Sequence, residues 1–541
     1  MSEDHSYDYI IVGAGSSGCV LANRLSADPA IRVCVVEAGG GSDSDIRVRV
    51  PAGILSLYGD SKFDYGYTSV PQPCLNDRRI PMNRGKGLGG SSLINSMIYI
   101  RGHARDYDDW ARLGCTGWGW DDVLPVFKDL ERNVNGQDPA FHGTHGELLV
   151  DRPRDPNPVS HKFVAAAREA GLPENTDFNG TDQYGVGIYD VTQDRGGRFN
   201  AYRAFLAPVT DRENLTILTG AESRKLAIDG HRVTGLVIRR GGQDQTLHCR
   251  GEVVLSGGSI GSPALLLASG IGPGTALKAS GRQVKHDLPG VGQNLQDHVD
   301  GMITTRSRSN STLGLSVPNL HRILAAPLRY FGWRRGMLTT NYVEAGGFAK
   351  TRYAQGRPDI QFHFVPGYRS HRGRVVEYGH GYAVHTCVLR PRSLGEIRPI
   401  GPGTDFEMDP KFLSDDHDAN VLVDGIRIAR QILAASSFAD IRGQEMLPGD
   451  SVRTDDEVLA YLRAEALTVY HPVGTCKMGT DDRAVVDPKG LRVAGMANLR
   501  VADASVMPTL IGGNTSAPSM MIAERAARAI IADRKARAHA A

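Results

Sequence analysis

The sequence predicts an α/β protein of two domains, one built on a parallel sheet and one on an antiparallel sheet carrying helices. Three observations support that division. Near the start an apolar, largely β-branched run, Tyr9-Ile10-Ile11-Val12, empties into a glycine-rich turn followed by apolar residues at helical spacing. The same order of strand, glycine turn and helix recurs over residues 252–267 and again over 499–516. Between about residues 301 and 464 the pattern becomes strands separated by long polar loops. A chain of 541 residues is also too long for a single core.

The first turn reads Gly13-Ala14-Gly15-Ser16-Ser17-Gly18, a Gly-x-Gly-x-x-Gly pattern. Gly13 makes the tight turn, Gly15 lets a pyrophosphate approach the backbone, and Gly18 lets the helix of residues 17–25 pack on the strand. The anion would rest on free N–H groups at that helix N-terminus. A second strand, Val33-Cys34-Val35-Val36, ends in Glu37, about 20 residues on, where a carboxylate should hold an adenosine ribose. Glycines bunch in many turns, so the pattern alone is weak. With its strand, helix and carboxylate it predicts a Rossmann-like dinucleotide site, without choosing between NAD and FAD.

Apolar residues make up 41% of the chain and charged residues 23%, the balance of a soluble globular protein. A net charge of +2 gives no reason to expect nucleic acid. Seven cysteines (Cys19, Cys34, Cys74, Cys115, Cys249, Cys387, Cys476) are scattered, with no Cys-x-x-Cys. That argues against a disulfide framework and a structural zinc, so no metal is expected and a reducing compartment fits. The acidic start, Met1-Ser2-Glu3-Asp4-His5, runs straight into the first strand and does not read as a signal peptide. No apolar run approaches the roughly 18 residues of a membrane-spanning helix. The expected location is the cytoplasm.

Further along, residues 51–73 are rich in aromatic and turn residues and read as an excursion over a ligand. Residues 85–97, a glycine block followed by hydroxyls, offer a second close backbone approach, or a plain loop entering a helix. Residues 106–131 are helical in pattern, with Trp118 and Trp120 marking a turn. Residues 214–219, 225–240, 245–250 and 252–256 read as strands, with hairpin turns at Asp229-Gly230 and Gly241-Gly242. In the second domain, strands are expected at 359–365 and 382–389, and a helix at 418–435. The end returns to a strand, Leu499-Arg500-Val501, then a loop, Gly512-Gly513-Asn514. A helix follows, with Ser516 as N-cap and Pro518 in its first turn. Residues 534–541 read as a solvated or frayed basic end.

Several long blocks together resemble the glucose–methanol–choline (GMC) oxidoreductase family over essentially the whole chain. They are Gly85-Lys86-Gly87-Leu88-Gly89-Gly90-Ser91-Ser92-Leu93-Ile94-Asn95-Ser96-Met97, Arg101-Gly102-His103, residues 258–272 and residues 288–298. Near the end stand Tyr470-His471-Pro472-Val473-Gly474 and Gly512-Gly513-Asn514-Thr515. Among members the chain is most similar to bacterial alcohol dehydrogenases of the alkane-degradation type, then to choline dehydrogenase. The resemblance implies FAD in a Rossmann-like domain, covered by an antiparallel-sheet-and-helix substrate domain. The FAD-binding domain would comprise residues 1–155, 201–305 and 465–541, with substrate-domain segments at 156–200 and 306–464. It implies that Gly13, Gly15, Ser16, Ser17 and Gly18 serve the pyrophosphate, and Glu37 with Ala38 the ribose. Arg84, Gly89, Gly90, Ser91, Asn95, Ser96 and Met97 would line the flavin. Ser223 would meet the adenine through its backbone. Asp503 and Ala504 would meet the ribityl–pyrophosphate region, and Asn514 with Thr515 the pyrimidine edge. Some members link FAD through a histidine in the glycine block; the corresponding position here is Ile94, so FAD should be non-covalent.

The implied reaction is oxidation of a primary alcohol to an aldehyde, with electrons passed to a quinone or another acceptor rather than to NAD. A neutral imidazole, with an ordinary pKa near ~6.5, can take the hydroxyl proton. A side-chain amide can hold the developing alkoxide without adding charge. The resemblance assigns these roles to His471 and Asn514; His103 and His298 are read as structural. The alternatives are an oxidase using O₂, a choline dehydrogenase, a lyase or photodecarboxylase on the same fold, and a flavin-binding protein without catalysis. Cys387 with Arg390 and Arg392 is the decarboxylase's signal, against a buried strand cysteine beside ordinary surface arginines. Glu344 reads as a structural carboxylate at the domain junction, against a contact for a cationic substrate. Residues 321–337 interleave basic and apolar residues. Because Pro327 and Gly332 should interrupt any long helix, the stretch reads as a flap beside the substrate entrance, against a surface resting on the inner face of a membrane. The oligomeric state is left open.

Overall fold

The computed structural model describes residues 6–367 and 378–540. Its first sheet has seven strands. Ser6–Val12 pairs in parallel with Val33–Val36, which pairs in parallel with Leu215–Leu218. On the other side Ser6–Val12 lies parallel to Gln243–Leu255, and that strand to Leu499–Val501. Ile10, Ile11, Val33, Val35 and Val253 are fully buried, as continuous apolar runs covered on both faces require. Arg232–Arg240 and Ala221–Asp229 complete the sheet as antiparallel neighbours.

The separate strands expected at 245–250 and 252–256 are one strand of 13 residues. Its first half pairs mainly with Arg232–Arg240 and its second half with the parallel core, so its side-chain pattern changes midway. Gly251 sits at that change because a Cβ there would lie 2.3 Å from the Asp8 carbonyl oxygen. The glycine marks a close crossing, not a strand end.

Ser16–Leu25 packs against the final helix, Ser516–Ala540, which begins with Ser516 already helical and Pro518 in its first turn. The basic end of that helix is a solvated helix end, as one of the two readings expected, and is tied down rather than frayed. Arg537 donates to Glu252 at 2.7 Å and Arg534 to Asp28 at 2.6 Å. The helical stretch at 106–131 is two helices, Ala104–Arg112 and Trp120–Leu130, with buried Trp118 in the turn.

The second sheet is antiparallel, in the order Gly185–Ile188, Ala345–Ala349, Ile360–Val365, Gly381–Val388, Val299–Ser307, Arg442–Leu447. Leu467–Thr468 also pairs with Val299–Ser307, which straddles the expected division at 305 and lies wholly in this sheet. Pro158–Glu169 and Asp416–Ala434 pack against the sheet and each other. The latter starts two residues before the expected position. Asp415 is its cap, the Asp415 side chain accepting from the His417 N–H. Leu320–Trp333 is a single helix, contrary to the interruption expected at Pro327 and Gly332. Pro327 lies on an exposed face, where water can satisfy the carbonyl it leaves unpaired, and Gly332 falls in the last turn before left-handed Arg334.

Candidate active site

A cavity of about 1990 Å³ is lined by both sheets and by the loops leaving the parallel strands. That exceeds the few hundred to about 1,000 Å³ of an ordinary small-ligand pocket and leaves room for a dinucleotide beside a substrate. Gly13, Gly15, Ser16, Ser17, Glu37, Ala38, Arg84, Gly90, Ser91, Asn95, Ser96, Met97, Ser223, Asp503, Ala504, His471, Asn514 and Thr515 all border it. Gly18 and Gly89 do not; they pack behind the wall. A Cβ on Gly18 would meet the Gly13 carbonyl oxygen at 1.9 Å, while Gly89, at φ +111°, donates its N–H to the Ala14 carbonyl.

The residues fit the adenosine-diphosphate half of FAD. The N-terminus of Ser16–Leu25 has no side-chain cap and opens on the cavity, leaving its N–H donors for an anion. The two glycine blocks touch through bare backbone: a Cβ on Gly90, at φ +52°, would lie 2.6 Å from the Gly15 Cα. Glu37 links both blocks, accepting from the N–H groups of Ala14, Gly39 and Gly87 at 2.8–2.9 Å. A carboxylate has about four acceptor positions, so one remains for a ribose hydroxyl. Asp503 borders the cavity too, but its carboxylate is engaged by Gly258 N–H, Ser262 Oγ and Ser505 N–H.

At the other end, His471 and Asn514 meet, with Asn514 Nδ2 3.2 Å from His471 Nε2. The amide is oriented from behind, because Gln361 Nε2 donates to Asn514 Oδ1 at 3.1 Å. His471 Nδ1 lies 2.9 Å from Nδ1 of His298, whose Nε2 is 3.1 Å from the Leu389 carbonyl oxygen. A carbonyl only accepts, so His298 carries its proton on Nε2 and offers Nδ1 as an acceptor. His471 must then donate from Nδ1, leaving the Nε2 lone pair toward Asn514. Beneath both rings, the Asp297 carboxylate accepts from the backbone N–H of His298 and of His471, at 2.9 and 2.7 Å, and from Thr468 Oγ1. Arg84 donates to the Tyr470 carbonyl and fixes the same loop from the glycine-block side.

Burial lowers the His471 pKa well below the usual histidine value, and neighbouring His298 adds to the effect. Burial likewise brings His298 down to about 4 and His363 down to about 3. All three rings are neutral at pH 7. Burial pushes Asp297 up to about 6, opposed by its hydrogen bond from Thr468.

Sequence reasoning set His298 aside as structural; it is fully buried against His471. It also missed Asp297 and Gln361. Asp297 and His298 close the 288–298 block, so the signal was present. Gln361 comes from a strand whose apolar pattern conceals it. His103 is structural, capping Ala104–Arg112. Glu344 does not line the cavity; it binds Thr340, Ser160 and the Asn157 N–H. Cys387 is fully buried, its thiol pushed well up by burial, and does not line the cavity. Arg390 is not an ordinary surface arginine: it is largely withdrawn from solvent and pairs with Asp106 at 2.7 Å. Arg392 is exposed.

The N-terminal pattern of GMC oxidoreductase matches residues 7–300 and the C-terminal pattern residues 391–523. The chain belongs to the GMC oxidoreductase family, and FAD is its cofactor. It is 45% identical to an alcohol dehydrogenase (acceptor) of Pseudomonas putida, covering 97% of this chain and 96% of that one. It is 40% identical to an oxygen-dependent choline dehydrogenase of Sinorhizobium medicae (strain WSM419), over 97% and 95% of the two chains. Among solved structures, pyridoxine 4-oxidase from Mesorbium loti is similar with a TM-score of 0.87 and 32% identity, over 96% of this chain and 98% of that one. Formate oxidase from Aspergillus oryzae gives 0.90 and 26%, over 99% and 100%.

Proposed function

We propose that this enzyme oxidises a primary alcohol to an aldehyde and passes the electrons to a quinone or another non-NAD acceptor. Bound FAD supplies the hydride acceptor. His471 Nε2 takes the hydroxyl proton, and the Asn514 amide donates to the substrate oxygen as negative charge grows there. The observation that carries this reading is the tautomer chain from Leu389 through His298 to His471, which leaves one neutral base aimed beside one amide. Leu313, Val343, Val365, Leu447 and Val469 line the cavity as well and suit an aliphatic or aromatic substituent. The glycines and serines at the helix N-terminus would hold the pyrophosphate and Glu37 the ribose, and Ile94 on the cavity wall offers no nucleophile, so FAD would be held without a covalent bond. The proposed division into FAD-binding and substrate segments is drawn along the two sheets, which would move the expected boundaries at 305 to about 298 and at 465 to about 469. A second reading, oxidation of a cationic alcohol such as choline, is favoured by Asp300. Its Oδ2 lies 2.7 Å from His385 Nδ1, while its Oδ1 has no partner among the described residues and the side chain borders the cavity.

The test is turnover of the FAD-loaded enzyme on neutral primary alcohols and on choline, with a soluble quinone and with O₂ alone. Aldehyde formed from neutral alcohols together with reduced quinone, and no hydrogen peroxide, supports the proposal. Peroxide in step with aldehyde makes the enzyme an oxidase; turnover restricted to choline establishes the second reading.

A further inference from the structure

Eight of the fourteen large apolar side chains exposed among the described residues crowd into one place, on or beside the Leu320–Trp333 helix. Leu320, Leu324, Leu328 and Phe331 follow one another at helical spacing and are 52–71% exposed, while Ala326 and Tyr330 face inward. Leu315, Val317 and Tyr378 extend the ridge beyond the helix start; Leu315 and Tyr378 pair through their backbones. Trp333, 64% exposed, stands at its end. A soluble monomer rarely leaves such a continuous apolar surface to water. The same stretch is charged in one sense only. Residues 301–343 contain six arginines and no aspartate or glutamate, although the whole chain carries a net charge of only +2. Among the described residues, no carboxylate lies within ion-pair distance of exposed Arg322, Arg329, Arg334 or Arg335. The helix is joined at both ends to the cavity. Leu313, just before the ridge, lines it, and Met337–Thr339, just after the helix, packs on Pro51–Ser56, whose Ile54 lines it.

We propose that this helix lies flat on an anionic lipid bilayer, its apolar ridge in the acyl boundary and its arginines at the headgroups. An apolar ridge on one face of the helix, with Arg322 and Arg329 on the polar face away from it, matches the chemistry of that interface. Docking there sets the cavity beside the phase into which apolar alcohols and quinones partition. That use of the surface rests on the proposed alcohol oxidation; the docking does not.

The experiment is vesicle flotation of the FAD-loaded enzyme, using phosphatidylcholine with and without phosphatidylglycerol at low and high salt. The variants are Leu324→Ser/Leu328→Ser and Arg322→Gln/Arg329→Gln. The wild type floats with the anionic vesicles and is released by salt. Each double variant binds about tenfold less or weaker still, with flavin content and turnover of a short, water-soluble alcohol unchanged. A wild type that stays unbound, or binding that survives the leucine changes, overturns the proposal. So does a dimer in gel filtration that the leucine changes dissociate while no vesicle binding is seen. Because flotation needs no alcohol, failure of the alcohol assignment leaves this result readable on its own.

Discussion

Nδ1 of His298 lies 2.9 Å from Nδ1 of His471, two ring nitrogens that can share only one proton between them. The Leu389 carbonyl decides which ring supplies it, and so leaves the His471 Nε2 lone pair available at the cavity. His298 therefore positions the proposed base without touching the alcohol. Replacing it separates shape from proton direction. In His298→Gln the side-chain oxygen can still accept from His471 Nδ1, and flavin reduction by alcohol stays within about threefold of wild type. His298→Phe keeps the bulk but no acceptor, and the rate falls about 10–100-fold with FAD retained. Stopped-flow absorbance measures both; equal rates in the two variants contradict the tautomer argument.

His471→Ala removes the proton acceptor itself. The protein folds and keeps its FAD, and anaerobic flavin reduction slows by about 10²–10⁴. Near-normal reduction in a rapid-mixing experiment would remove His471 from the chemistry.

The pH profile follows from the direction of the His471 shift. Its pKa is lowered in the folded protein, so as pH falls through ~6.5, where a free imidazole would charge, His471 stays neutral. The flavin-reduction rate is therefore flat from pH 8 to below 6.5 and is lost only at clearly lower pH. In Asn514→Asp a carboxylate stands where the amide lies 3.2 Å from Nε2, which favours the imidazolium and moves the loss toward higher pH. A wild-type profile half-lost near pH 7, or an unmoved profile in the variant, contradicts the assignment.

Gly90→Ala tests the meeting of the glycine blocks. The new Cβ would lie 2.6 Å from the Gly15 Cα, at a left-handed φ of +52°. The backbone conformation alone costs about 1–2 kcal/mol for a residue with a Cβ, before the clash is counted. The purified variant is expected to hold little FAD, read from its flavin-to-protein absorbance ratio.

Arg500 is fully buried and pairs with Glu252, with Asp533 as a second partner at 2.6 Å. It joins two strands of the parallel sheet to the final helix. Glu252→Ala strands part of that charge and should lower stability by about 3 kcal/mol, the low end of the range for broken buried pairs because Asp533 remains. Chemical denaturation of the holoenzyme measures it.

The dinucleotide half was legible in the sequence because its physics is local. A buried strand, three glycines and Glu37 all lie within the first 40 residues and need no distant partner. The 85–97 block was legible only through resemblance, since its glycines answer to Gly15 and Gly41, which local pattern does not reveal. Gln361 was illegible for the opposite reason, and His298, though its block stood out, showed nothing of its role. Their importance comes from residues 153 and 173 positions away, and a buried histidine after an aspartate resembles any core polar residue. Pro327 misled the reading of residues 321–337, because local rules disfavour proline in a helix interior while its exposed face makes it tolerable.

The most direct measurement is anaerobic mixing of the FAD-loaded enzyme with neutral primary alcohols, following flavin absorbance and aldehyde together. The account predicts bleaching of the oxidised flavin, one aldehyde formed per flavin, and recovery of the absorbance when a quinone is added. Flavin that stays oxidised with every alcohol tried would contradict it.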